Sequence, residues 1–178
     1  VDEKKKTLST SKDSAETLKQ IQTASESLKS SADQLTNTGK DSVFSKSQDE
    51  IYKAVDSFVT NYNKLIEGSA KSVSDSITKR VDTLKNMTES NQKLLGQAGI
   101  TIGKDDTLTF DKDAFAKADA NTVKTLFSGS YSYASRVSSQ SSFIDFAATQ
   151  EAAKANTYTT KGTYSNTYAS GNIFNSYF

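Results

Sequence analysis

Four aspartates lie close together in the middle of the chain, and clustered carboxylates are the side chains that proteins use to bind Ca²⁺. They are Asp105, Asp106, Asp111 and Asp113. An EF-hand loop has oxygen ligands at alternating positions, a central glycine and a terminal bidentate glutamate. This stretch has neither that glycine nor that glutamate. We therefore interpret its acidic residues as turn residues and a helix cap, and we expect no metal and no cofactor.

A second motif with possible chemistry is Ser-x-x-Lys, whose matches include Ser9 to Lys12 and Ser90 to Lys93. In penicillin-recognising enzymes the serine of this motif is the nucleophile, and Ser-Asp-Asn and Lys-Thr-Gly motifs accompany it. Both companions are missing from this chain. Histidine, the commonest general base and metal ligand, is missing as well. We therefore predict no catalytic residues and a protein that is not an enzyme.

Composition favours long helices with a narrow buried stripe over a thick globular core. Among 178 residues only 34% are hydrophobic, and the mean hydropathy is -0.61. The 22 basic and 21 acidic residues are spread along the chain and give a net charge of +1, so we expect no nucleic-acid partner. No apolar run approaches the length that spans a bilayer, so we expect no membrane insertion.

Cysteine usage and the first residues bear on where the protein works. The chain has no cysteine, which fits a secreted protein that needs no disulfides and would also suit a cytosolic one. It starts with valine, so we interpret it as a processed or trimmed form from which an export signal has been removed.

Apolar residues spaced by three and four predict the helices that position these motifs. After a polar N-terminal tail at 1–12, a first helix begins near Asp13 and ends at "TNTGK", where Gly39 suits a left-handed conformation. A second helix follows the capping box formed by Ser47 and Glu50, and we expect it at the centre of the bundle. A third helix has Arg80 and Asn91 at or beside its core positions. The predicted seams are Leu18, Ile21, Ser25, Leu28, Ala32 and Leu35; Ile51, Val55, Phe58, Val59, Tyr62, Leu65 and Ile66; and Val73, Ile77, Val81, Leu84, Met87, Leu94 and Leu95.

Strict alternation then predicts a β-hairpin at about 99–110, with an apolar face that lies on the helices. That face consists of Ile100, Ile102, Leu108 and Phe110. Asp111 and Asn121 are predicted to cap two short helices. A last long helix, at about 131–156, has a flank rich in Ser, Gln and Ala that suits close packing. The helical bundle with its hairpin thus covers 13–156.

The remaining 22 residues form an aromatic tail rich in Ser, Thr, Asn and Gly at 157–178, where no helical period continues. Two interpretations remain open, an extended segment that docks on a surface and a disordered end. If the segment docks, its partner-binding candidates are Tyr168, Ile173, Phe174, Tyr177 and Phe178.

Two stretches read together resemble the C-terminal part of the flagellar hook-associated protein 2 family, the filament-cap proteins. The first is "VDSFVTNYNKLI" at 55–66, which is similar to the family's "FV-x-x-YN-x-LI" helix. The second is "LLGQAGITIGKDDTLTFDKDAFAKADANTVKTLFSG" at 94–129, in which Gly99, Ile100, Leu108, Asp111, Val123, Leu126 and Phe127 hold the family pattern. The resemblance covers about residues 47–156.

The resemblance implies a secreted structural protein whose helices pack into a bundle with a small hairpin, in an oligomer at the tip of a flagellar filament. It implies no catalysis. The family's C-terminal segment continues as a heptad helix, whereas this chain has "NIFNSYF" there. A non-flagellar extracellular adhesin or surface helical module therefore remains the alternative.

Together these observations predict a mainly α, elongated antiparallel bundle or coiled coil with one hairpin, located at a bacterial flagellum or cell surface. We expect self-association into a homo-oligomer and contact with flagellin or hook-associated proteins. The surfaces expected to make these contacts are the seams of the first and third helices and the C-terminal aromatic residues.

Overall fold

The computed structural model describes residues 11–155, and it confirms a mainly α fold with one small hairpin. Within that range the helices are α1 Ala15–Thr36, α2 Gln48–Ser69, α3 Asp75–Ser90, α4 Gln92–Gln97, α5 Lys112–Ala116, α6 Ala120–Phe127 and α7 Tyr133–Ala155. The strands are β1 Ile100–Ile102 and β2 Leu108–Phe110, which pair antiparallel with Thr101 opposite Thr109. Two short 3-10 turns, Gly39–Asp41 and Val43–Ser45, connect α1 to α2. The segment 157–178, with the candidates Tyr168, Ile173, Phe174, Tyr177 and Phe178, lies outside the described residues.

The four long helices pack antiparallel, and α1 lies between α2 and α7. Asn61 of α2 donates a 3.2 Å hydrogen bond to the Ser27 carbonyl of α1. On the other side of α1, Gln22 donates to Thr149 of α7 at 3.0 Å. Helix α7 then packs on α3. We expected α2 at the centre, but the inner long helices are α1, which lies between α2 and α7, and α7, which lies between α1 and α3.

The predicted helical seams form the core. Every seam residue predicted for α1 and α2 is buried, and so are Ile77, Val81 and Leu84 of α3. The core also uses small residues, among them Ser25 and Ala32 on α1 and Ala148 and Ala152 on α7. Small side chains let two helix backbones approach closely, which explains how a chain with little apolar surface still forms a closed core.

Larger rings fill the space between α2, α6 and α7. The Phe58 ring meets Phe127 and Tyr133 edge-on, with both centroid distances at 6.0 Å. Edge-to-face pairs of this kind add roughly 0.5–1.5 kcal/mol beyond the area that they bury.

The helix ends confirm two predicted caps and correct a third. Ser47 and Glu50 form the complete capping box, and Asp111 accepts hydrogen bonds from the first turn of α5. The prediction that Asn121 caps the next helix is wrong. Helix α6 begins two residues earlier, after Asp119 in extended conformation, and the Asn121 carbonyl accepts a bond from Thr125 inside the helix.

The third predicted helix is in fact two helices. The Asn91 side chain donates to the Met87 carbonyl at 2.8 Å and so takes the acceptor that the next helical amide would use. Helix α3 therefore ends at Ser90, because a side-chain amide competes locally with the helical ladder. Val73 lies before α3 and is 62% exposed, so its place in the predicted seam is also wrong.

The end of α1 differs from the prediction as well. The helix ends at Thr36 with Asn37 as its C-cap residue. Gly39 does have a left-handed φ of +71°, but it begins the following 3-10 turn instead of terminating α1.

Candidate functional site

Three of the four clustered aspartates, Asp105, Asp106 and Asp111, have separate partners in the hairpin turn, on α3 and at the start of α5. Asp105 accepts from the Thr107 hydroxyl at 2.6 Å, and this hydrogen bond lowers the pKa of the Asp105 carboxyl. Asp106 pairs with the Lys85 ammonium of α3 at 3.1 Å. Asp111 caps α5 by accepting from the Asp113 amide at 3.0 Å. Throughout residues 11–155, no group of three or more acidic, His or Cys side chains is arranged to hold a metal ion.

The second Ser-x-x-Lys pair lies on the surface where α3 gives way to α4. The Ser90 hydroxyl donates to the Asn86 carbonyl at 2.8 Å, a bond within its own helix, and the Lys93 side chain is exposed on α4. A nucleophile needs a base within hydrogen-bond reach of its hydroxyl. The Ser90 hydroxyl instead donates its hydrogen bond to a backbone carbonyl. Ser9 lies outside the described residues.

The hairpin is attached to α2 by one asparagine. The Leu108 amide donates to Asn63 Oδ1 at 2.7 Å, and Asn63 Nδ2 donates to the Leu108 carbonyl at 2.8 Å. A single side chain thereby satisfies both the amide and the carbonyl of Leu108. Ile100 and Leu108 are buried beneath the ribbon, and Ile102 and Phe110 are partly buried against the core, which confirms the predicted apolar face.

A close backbone contact fixes where the hairpin begins and ends. The Asp111 amide donates to the Gly99 carbonyl at 2.8 Å. Gly99 has a φ of +77°, and a Cβ built there would lie 2.6 Å from the Asp111 carbonyl oxygen. Only glycine fits this position, because both the left-handed backbone and the approach exclude a side chain.

Beneath the hairpin lies a small group of buried hydroxyls. Thr88 Oγ1 and the Tyr133 hydroxyl are hydrogen-bonded at 2.8 Å. Burial raises the pKa of Tyr62 to about 12, and it also raises the pKa of Tyr133. These hydroxyls therefore stay neutral at physiological pH, and they link α3 to α7 without offering a charged or nucleophilic group.

The largest apolar side chains left exposed lie mainly on one side of the bundle. Phe143 and Phe146 of α7 are 45% and 64% exposed, and the Arg80 guanidinium lies 5.1 Å from the Phe143 ring centroid. A groove of about 570 Å³ runs between these rings and α3. We call this surface the α3/α7 face and define it by Val73, Ser76, Lys79, Arg80, Phe143 and Phe146.

This surface replaces the one that sequence reasoning selected. We expected the seams of α1 and α3 to contact other subunits, and that expectation is wrong because these seams pack inside the chain, with Met87 and Leu94 partly buried and Val73 exposed. The α3/α7 face was missed because Phe143 and Phe146 lie outside the apolar period of α7. Their three-residue spacing, which puts two rings on one helical stripe, was the available signal.

Comparison with family models, curated proteins and solved structures gave no match for this chain. In the part of the chain that the structure describes, none of the helices has both the length and the apolar character needed to cross a bilayer.

Proposed function

We propose that this protein is a secreted structural component, similar to a flagellar filament cap, that acts by contacting other copies of itself and flagellin or hook-associated proteins. The observation that carries the proposal is the α3/α7 face, where two phenylalanines stand in solvent on a helix whose other side is fully packed. Contiguous exposed apolar surface of this kind marks interaction sites on proteins.

Covering the exposed rings of this face would supply part of the free energy that assembly needs. Full burial of a phenylalanine side chain stabilises by roughly 1.5–3 kcal/mol. Because Phe143 and Phe146 expose about half of their surface, covering both would contribute on the order of 2–3 kcal/mol. Arg80 adds a cation that is already stacked on one ring. Aromatic and arginine anchors are the residue types that dominate binding energy at protein interfaces.

The contact between the hairpin and α2 supports the proposed similarity to flagellar cap proteins. The two stretches that carry the resemblance meet at the hydrogen bonds between Asn63 and Leu108, so the motif residues form one local unit in space. An asparagine directly after the buried Tyr62 therefore has a physical role in the "YN" pattern. No catalytic role is proposed, since the hydroxyl of the candidate nucleophile Ser90 donates a hydrogen bond to a backbone carbonyl and not to a base.

The test is assembly of the full chain with and without the two exposed rings. Sedimentation velocity and light scattering over a concentration series measure self-association, and biolayer interferometry measures binding to purified flagellin and hook-associated proteins. The double variant Phe143→Ser, Phe146→Ser should weaken association by at least about tenfold, since it removes the roughly 2 kcal/mol estimated above. Tyr131→Ser is the matched control, because Tyr131 is 99% exposed but precedes α7 at its other end.

Two results would contradict the proposal. One is a monomer at high concentration that binds neither flagellin nor hook proteins. The other is association that the double variant and Tyr131→Ser leave equally unchanged. Binding to an extracellular surface ligand in the absence of any flagellar partner would instead favour the adhesin alternative.

A further inference from the structure

Both ends of the described chain lie beside the α3/α7 face. At the start of the bundle, the buried Asp13 carboxylate accepts a 2.8 Å hydrogen bond from the amide of Val73. At the end, Ser76 donates to Glu151 at 3.3 Å, and α7 continues for only one further turn, to Ala155. Helix α7 therefore ends near Val73 and Ser76, and the exposed rings lie back along α7 from that end.

We propose that residues 157–178 of the same chain fold back and dock on the α3/α7 face. The inference depends on the proposed function, because it names the occupant that covers the same surface before a partner does. It makes the C-terminal segment an intramolecular cover over the assembly surface.

Chemical complementarity favours this occupant. The segment has aromatic residues at Tyr158, Tyr164, Tyr168, Phe174, Tyr177 and Phe178, and Lys161 is its one charged side chain. The face provides aromatic rings together with Lys79 and Arg80, neither of which has an ion-pair partner among residues 11–155. The segment has no acidic side chain to pair with these cations. Its rings can stack over them, as the Phe143 ring already does with Arg80.

The segment is also long enough. From Ala155 back to Phe143 the helix rises about 18 Å, at 1.5 Å per residue. An extended chain covers about 3.3 Å per residue, so about six residues span that distance. The 22 residues of the segment leave the rest for the reversal of chain direction. A short tether gives an effective concentration of about millimolar, which favours the chain's own segment over that of another molecule at micromolar concentration.

The absence of native cysteine allows a direct test on the full chain. The test pair is Gln150→Cys with Ser176→Cys, since Gln150 is exposed and lines the groove of the face. The control pair is Gln20→Cys with Ser176→Cys, because Gln20 is also exposed at the same end of the bundle but lines the groove between α1 and α2. Disulfide formation under mild oxidation at low micromolar protein is followed on non-reducing gels and by mass spectrometry.

The test pair should form an intrachain disulfide at least about tenfold faster than the control pair. Adding Phe174→Ser, Tyr177→Ser and Phe178→Ser to the test pair should remove that advantage. Equal rates for the two pairs would overturn the proposal. A predominantly interchain disulfide would also overturn it, and it would place the segment on a second copy.

The assembly measurement separates this proposal from the proposed function. The triple tail variant without added cysteines should uncover the face, so its self-association should strengthen by about tenfold over the unmodified chain. Suppose that the test pair crosslinks within the chain, but neither the triple tail variant nor the unmodified chain associates with itself, flagellin or hook proteins. This result would support docking of the C-terminal segment and contradict the proposed function. If association depends on Phe143 and Phe146 while the test and control pairs crosslink at equal rates, the proposed function is supported and docking of the C-terminal segment is contradicted.

Discussion

Replacing Asn63 with alanine should release the hairpin from the bundle. Asn63 is the residue whose side chain reaches both backbone groups of Leu108, at 2.7 and 2.8 Å. Alanine removes both hydrogen bonds and offers nothing in their place. The Leu108 amide and carbonyl then lie against a helix, at a partly buried location, without a partner.

The expected cost follows from the two groups left unpaired. A typical intramolecular hydrogen bond contributes about 0.5–1.5 kcal/mol, and an unsatisfied buried group costs about 1–3 kcal/mol. Because the site is only partly buried, water compensates for some of the loss. We therefore expect Asn63→Ala to lower the free energy of unfolding by about 2–4 kcal/mol. For a chain of this length, that corresponds to a fall in melting temperature of roughly 5–15 °C.

Two measurements check this expectation. Urea denaturation followed by circular dichroism gives the free energy of unfolding, and hydrogen exchange gives the protection of the Leu108 amide. Asn86→Ala is the matched control, since Asn86 is exposed on α3, and alanine there should be neutral or slightly stabilising. The reasoning is refuted if Asn63→Ala unfolds within about 0.5 kcal/mol of that control and the Leu108 amide keeps its protection.

Two further predictions concern the bundle end and the start of the hairpin. A hydrogen bond from Lys154 holds the pKa of Glu151 below its usual 4.5. This interaction therefore stabilises the fold above pH 4.5 and is lost as the pH falls through the lowered pKa. In urea denaturation, Glu151→Gln should destabilise the protein at pH 7 and have a smaller effect at pH 3. An equal effect at both pH values would contradict this prediction. Gly99→Ala should destabilise by more than about 1 kcal/mol, because a Cβ there would lie 2.6 Å from a backbone oxygen. Gly96→Ala, at a helical position with nothing within 4 Å, should stabilise by about 0.5–1 kcal/mol, and thermal melts that show the same sign for both would refute the argument.

Much of the fold could be predicted because each signal came from neighbouring residues. The α1 and α2 seams follow the helical period, and the Ser47 capping box is a pattern over four residues. The hairpin was predictable because alternation and turn chemistry coincide at 99–110. In each case the chain specifies its local conformation before any distant contact forms.

The predictions that failed depend on competition that no local pattern reveals. Asn91 could continue a helix or bond its side chain back to Met87, and the structure contains the second arrangement. Asp119 and Asn121 are both acceptable N-cap types, and the turn leading out of α5 decides for the earlier one. The hydrogen bonds between Asn63 and Leu108 join residues that are 45 positions apart. The sequence therefore shows the asparagine but not the backbone groups that it bonds.

The two sides of α7 are packed differently. Its buried side includes Ala134, Ser141 and Ala148, which are small enough for close helix packing. Phenylalanine on that side would overpack the interface and cost about 1–3 kcal/mol. Phe143 and Phe146 instead lie at the edge of the core, where they are 45% and 64% exposed. A loss of assembly in the serine variants is assigned to the missing interface when their urea denaturation matches that of the unmodified chain, and to lost packing when it does not.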